Sequence, residues 1–349
     1  MYLARIPQIT NKEIVFQHFS PTLGALVVMI ADQYSSDKRM ALFINTLTAV
    51  VVAVVPLAAA NTKFAEWHIL ESRTGSPLVF EDLASHLAVQ EVIYLGEEHH
   101  NRNHIEAALK TMRALIAQDR RPVLGLEMFS WDGQAALDQY LTHPEMPTDT
   151  FLEEAHWKQN WGGPYEEYEP LLAFARDHHL SVVALNPPRP LVREVARDGI
   201  AKARTKPEMW QWKMQDESLV EDPAYRDRVL NQLHSCHDGL TNAAYERMYE
   251  ASVFRDESMA KTIADQLRRL PEGAGPIISY TGGGHIQYRL PIPNRVARRY
   301  GLPLRQMTIY LAAFDPGRVQ EIQELLQPPI ADYLWLTPMG QHGPTRRCL

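Results

Sequence analysis

The chain has 349 residues, 45% hydrophobic and 22% charged, a globular balance that excludes a disordered or collagen-like protein. Two cysteines, Cys236 and Cys348, exclude a disulfide framework and a four-cysteine zinc site and are read as free thiols. A net charge of −7 speaks against nucleic acid, whose phosphates need a basic surface. Fourteen histidines make the placement of imidazole, a metal ligand and near-neutral acid or base, the feature to follow.

In chain order, the first 60 residues read as an upstream segment and a signal peptide. Lys38 and Arg39 precede an apolar run from Ala41 to Leu57, and Ala58-Ala59-Ala60 supplies small residues for cleavage. The run is 17 residues, interrupted by Asn45 and closed by Pro56-Leu57, short of the roughly 20 apolar residues a membrane span needs. Its distance from Met1 points to a start at Met29 or Met40, or to a long leading region. The expected product is periplasmic or secreted after cleavage near Ala60; the alternative is a chain anchored in the membrane by 41–57. No cysteine follows the run, so a lipid anchor is not expected.

A hairpin is expected over Trp67 to Phe80, turning at Thr74-Gly75-Ser76, then a short helix over Glu81 to Ala88. Apolar strands follow at Glu91 to Gly96, Pro122 to Phe129, Leu180 to Asn186, Pro276 to Tyr280, Gln306 to Leu311 and Tyr333 to Leu336. Between them, His104 to Gln118, Gln134 to Leu141, Leu171 to His179, Ala244 to Leu270 and Arg318 to Leu326 have helical spacing. A charged helical stretch, about 190–240, is broken by Pro207 and Pro223. Alternating elements with near-continuous apolar strands predict an α/β fold: a mainly parallel sheet, helices on both faces, and a helical insertion. Residues 61–338 are read as a single domain, and 339–349 as a flexible tail.

Ligands of such sheets bind beyond the carboxyl ends of the strands. Those ends carry Gly96-Glu97-Glu98-His99-His100, Glu127, Asn186-Pro187-Pro188-Arg189 and Gly282-Gly283-Gly284-His285. Residues far apart in sequence thus bring two histidines and several carboxylates to one edge, with glycines that let the chain turn sharply. One chemistry open to this set is a divalent metal ion on His99, Glu127 and His285, with Glu97 as base toward a bound water. Another is metal-free hydrolysis with His99 as base. In either case Glu97, His99, Glu127 and His285 are the catalytic candidates. Arg189 or Arg255 can hold a carboxylate in a bidentate contact.

The Gly96-Glu97-Glu98-His99, Gly125-Leu126-Glu127 and Gly282-to-His285 motifs, in this order, resemble the ChaN family of haem-binding uptake proteins in the Tiki/TraB superfamily. Matching blocks are Trp157 to Trp161, Tyr168 to Arg176, Ala184 to Arg189, Arg255 to Ala260 and Ala331 to Pro338, so the likeness spans about Ile69 to Pro338. The resemblance implies an exported haem-binding protein in haem or iron uptake or handling, with haem iron as cofactor. It also implies a homodimer and an envelope haem receptor as partners. Tyrosinate and imidazole suit ferric haem. His99, Tyr165, Tyr168, Asn186, Arg189, His237, Arg255 and His285 are the haem-binding candidates, with no unique axial ligand among them. Superfamily relatives that are metal-dependent peptidases or resemble erythromycin esterases keep the hydrolase reading open.

Overall fold

The structure, a computed structural model, describes residues 64–343 apart from 272. The expected signal peptide and the last six residues lie outside the described residues. Among the described residues no helix is long and apolar enough to cross a membrane.

Eight strands form one sheet: β1 (Ile69–Glu71), β2 (Ser76–Leu78), β3 (Val92–Glu97), β4 (Val123–Ser130), β5 (Val182–Asn186), β6 (Ile277–Gly282), β7 (Gln306–Phe314) and β8 (Tyr333–Pro338). Their order is β2-β1-β8-β7-β3-β6-β4-β5. The β1–β2 hairpin joins antiparallel to β8, and every pairing from β8 to β5 is parallel. The hairpin turns at Gly75, whose φ of +69° a side chain would resist.

The longer helices are α1 (Phe80–Ala88), α2 (Arg102–Ile116), α3 (Gln134–Thr142), α4 (Glu169–Asp177), α5 (Arg189–Asp198), α6 (Pro223–Cys236), α7 (Asn242–Arg269) and α8 (Ile292–Tyr300). Strand β3 shows why both sheet faces are covered. Ile93 and Leu95 pack with α1 and α2, while Val92 and Tyr94 pack with Met259 and Ile263 of α7 and Val296 of α8. All six β3 residues are buried, so alternation gives way to a continuous apolar run. Each fully buried leucine or isoleucine here contributes about 1.5–3 kcal/mol.

Three sequence expectations change. Pro207 and Pro223 do not merely interrupt helix; each opens a new one at its first residue, where the missing N–H costs nothing. Helix α8, hidden by Pro291 and Pro293, was not expected; Pro293 sits in its first turn. Cys236 is not a free thiol but is disulfide-bonded. Beyond β8, the chain turns back on α2: Asn101 and Asn103 donate to the Pro338 carbonyl, and the His342 ring lies edge-on to His100.

Candidate functional site

The parallel strands β3, β6 and β4 are neighbours, and their carboxyl ends carry Glu97, Gly282 and Glu127. Register pairs Glu97 with Gly282 across β3 and β6. The turn after β6 comes so close to β3 that a Cβ on Gly96 would lie 2.6 Å from the Ile286 side chain and 2.9 Å from the Gly283 backbone. Glycine at 96 is therefore a packing requirement of the site.

Glu97 is buried and holds three partners. Tyr168 donates to Oε1 at 3.0 Å, Tyr280 donates to Oε2 at 2.6 Å, and His99 Nδ1 lies 2.7 Å from Oε1. An ionised carboxylate only accepts, so Nδ1 of His99 carries the proton. His99 Nε2 makes no hydrogen bond among the described residues. It lies over Gly282, where a Cβ would come within 2.9 Å of it. Burial works against charge on His99, yet its hydrogen bond to Glu97 and the charges of Glu127 and Glu97 raise its pKa.

The second histidine is differently held. His285 Nδ1 is 2.5 Å from Asp256 Oδ1, and Nε2 is 3.2 Å from Glu127 Oε1. Asp256 also accepts from Tyr225 at 2.6 Å. With carboxylates at both nitrogens, His285 is an imidazolium. Burial opposes its charge, but Glu127 and Asp256 push its pKa up to about 9. Glu127 in turn accepts from Arg255 at 2.5 Å and from the Gly282 N–H at 2.6 Å. Burial favours its neutral form, but His285, Arg255 and His99 hold it well below the usual carboxylate range.

Above this floor opens a cavity of about 460 Å³. Phe129, Trp161, Val192 and Ala196 give it an apolar side, with Trp161 edge-on to His99 at 5.0 Å between ring centroids. Arg189 and Arg193, on the same face of α5 as Val192 and Ala196, also line it. Asn186 and Arg255 complete the lining near the floor, joined by an Arg255 Nε to Asn186 Oδ1 bond of 3.3 Å.

The structure thus unites Glu97, His99, Glu127, Asn186, Arg189, Arg255 and His285 at one sheet edge, with Tyr168 hydrogen-bonded to Glu97, and leaves Tyr165 and His237 apart from it. Tyr165 is a core residue against Phe151 and Trp157, and burial raises its phenol pKa. Tyr168 is buried beneath the cavity, its phenol held neutral by burial and by Glu97. His237 caps the end of α6, exposed and away from the cavity lining. The metal set of His99, Glu127 and His285 meets two obstacles. Both nitrogens of His285 are committed to carboxylates, and Glu127 is committed to protein donors. Among the described residues no group of three His, Cys, Asp or Glu side chains is arranged to hold a metal ion.

Sequence reasoning gave no role to Asp256, Tyr280 or Arg193. Asp256 stands beside Arg255 in one of the blocks quoted above, and that adjacency was the available signal: neighbouring α7 residues serve His285 and Glu127.

An α/β protein with two carboxylate-clamped histidines at the carboxyl edge of a parallel sheet is the class that fold and site define. Residues 83–296 match the family described as haem-binding uptake, Tiki superfamily, ChaN, and the chain belongs to that family. It is similar to the structure of ChaN of Campylobacter jejuni with cofacial haem, at 16% identity and a TM-score of 0.58, covering 76% of this chain and 95% of that one. It is also 27% identical to the chloroplastic protein RETICULATA-RELATED 5 of Arabidopsis thaliana over 261 residues, 70% of this chain. The chain spans about a third, 34%, of that protein's length.

The donor set fits a haem through His99, whose Nε2 lone pair becomes available when the ring is neutral and Nδ1 is tied to Glu97. It does not fit one through Tyr165 or Tyr168, whose buried phenols resist ionisation.

Proposed function

We propose that this chain binds haem in the His99 cavity and serves haem or iron uptake or handling as an exported protein. The observation that carries this is His99: an imidazole fixed by a buried carboxylate, in a cavity lined by aromatic and cationic side chains. A bound haem would supply an iron able to take an imidazole ligand and a planar apolar body, and His99 would be the residue to hold the iron. Glu97 orients the imidazole, Trp161 offers an aromatic edge, and the arginines meet anionic substituents. Family membership supports haem as the ligand. A homodimer and an envelope receptor remain part of this proposal as the partners of such a role.

Hemin titration of the full chain tests the reading. A shifted Soret band saturating at stoichiometric hemin is expected for the wild type and is expected to be lost in His99→Ala. No shift in the wild type overturns it. N-terminal sequencing of the exported product is expected to begin near Asn61; retention of 41–57 instead overturns cleavage and favours the membrane anchor.

A second reading has one specific observation in its favour. Each histidine has a carboxylate on Nδ1, the base-and-orienter pairing of acid–base catalysis. Hydrolysis with His99 as base and imidazolium His285 as electrostatic partner of Glu127 follows from that pairing. Turnover of a panel of esters and peptides, lost in both His99→Ala and His285→Ala, is the expected result; no turnover across the panel overturns it.

A further inference from the structure

Helix α5 carries arginines at a four-residue spacing: Arg189, Arg193 and Arg197. Arg197 is paired with Glu194 and Asp198 and lies outside the cavity lining. Arg189 and Arg193 line the cavity, are exposed, and make no ion pair among the described residues. Like charges one turn apart repel, and nothing in the cavity offsets these two. Its only acidic lining residue, Glu127, is already bonded to Arg255 and His285. In a chain of net charge −7, this is a local cationic patch on a cavity whose lining also includes Phe129 and Trp161.

We infer that Arg189 and Arg193 form a clamp for a pair of carboxylates on one edge of a planar apolar molecule, the two propionates of a porphyrin. The inference rests on the haem reading and deepens it. Neighbouring side chains one helical turn apart match two acids borne on one edge, and each guanidinium meets a carboxylate with two parallel N–H donors. The apolar body then lies along Trp161, Phe129 and Val192. Arg255 is not part of the clamp, because Glu127 holds it. Arg193 takes the place that the sequence alone suggested for Arg255.

Iron-free protoporphyrin and its dimethyl ester test the clamp without iron ligation, read by quenching of protein fluorescence in the full chain. The wild type is expected to bind the diacid about tenfold or more tightly than the diester. The R189Q/R193Q variant is expected to lose that preference and bind both as weakly as the wild type binds the diester. R197Q, which removes a paired arginine outside the cavity, is expected to keep the wild-type preference. Both clamp residues are exposed, so the double variant should retain the wild-type circular dichroism spectrum. A double variant that keeps the preference, or a wild type that shows none, overturns the clamp. A wild type that prefers the diacid through these arginines but gives no Soret shift with hemin supports the clamp and overturns iron ligation. Hemin ligation with no carboxylate preference does the reverse.

Discussion

Asp256 and Glu257 are neighbours on α7, both carboxylates and both buried, at 2% and 0% exposure. They do opposite work. Asp256 holds an imidazole whose far side meets Glu127, and Glu127 lies on the cavity floor. Glu257 is enclosed by three α8 arginines: Arg295 at 3.3 Å, Arg298 at 2.5 Å and Arg299 at 2.7 Å. Guanidinium stays protonated at any accessible pH, whereas imidazole changes charge near neutrality. A buried carboxylate therefore marks a site only when its partner can respond and has access to a cavity. Around Glu257 the charges fix α8 onto α7; around Asp256 they set the state of a histidine.

The sharpest way to break this contrast is Glu257→Ala. It leaves Arg295 and Arg298 without their acid and Arg299 with Glu217 alone, and Arg295 is itself 2% exposed. Removing one member of such a buried set is expected to cost about 3–5 kcal/mol in denaturant unfolding. Hemin binding per folded molecule should be unchanged. A loss of affinity there would join the two regions into one.

Glu97→Gln comes next. It keeps the acceptor for one tyrosine but weakens the orientation of His99. A roughly 10–100-fold loss of hemin affinity is expected from such a supporting residue. Unaltered affinity would show that His99 is held without Glu97.

Asp256→Asn tests the pH response. The folded-state pKa of His285, about 9, lies above its ordinary value of 6.5. Its stabilising contribution is therefore complete below 6.5 and lost as pH rises through about 9. Unfolding free energies taken between about pH 6 and about pH 10 should fall for the wild type. The variant should give a flatter profile over the same window. Identical slopes would mean that Glu127 alone sets the histidine. The smallest effect belongs to Arg197→Gln, an exposed pair whose loss is expected to leave the denaturant midpoint indistinguishable from wild type; a clear shift would show that the surface pair matters.

Much of the sheet was legible because parallel strands buried on both faces leave uninterrupted apolar runs. The β3 and β6 runs end on Glu97 and Gly282, and Glu127 lies near the end of β4. Glu97, His99, Glu127 and His285 were found by that position alone. Asp256 was not, since a 28-residue helix buries several residues per turn and its pattern does not say which one faces a histidine. Tyr165 was misleading for the opposite reason. An aromatic run reads the same whether it walls a ligand or stacks into a core, and Phe151 and Trp157 decide for the core here. Arg193 lies one helical turn past the Asn186-to-Arg189 motif, and only the path of α5 brings it to the cavity.

The placement of β6 between β3 and β4 carries a consequence for synthesis. Glu97 and Glu127 emerge early, but the Gly282 N–H and His285 that stabilise Glu127 arrive some 155 residues later. A nascent chain ending before that point holds two carboxylates with half their donors missing and a gap in the middle of the sheet. The binding cavity is thus a late product of translation, completed only when the last third of the protein inserts its strand between two that were made first.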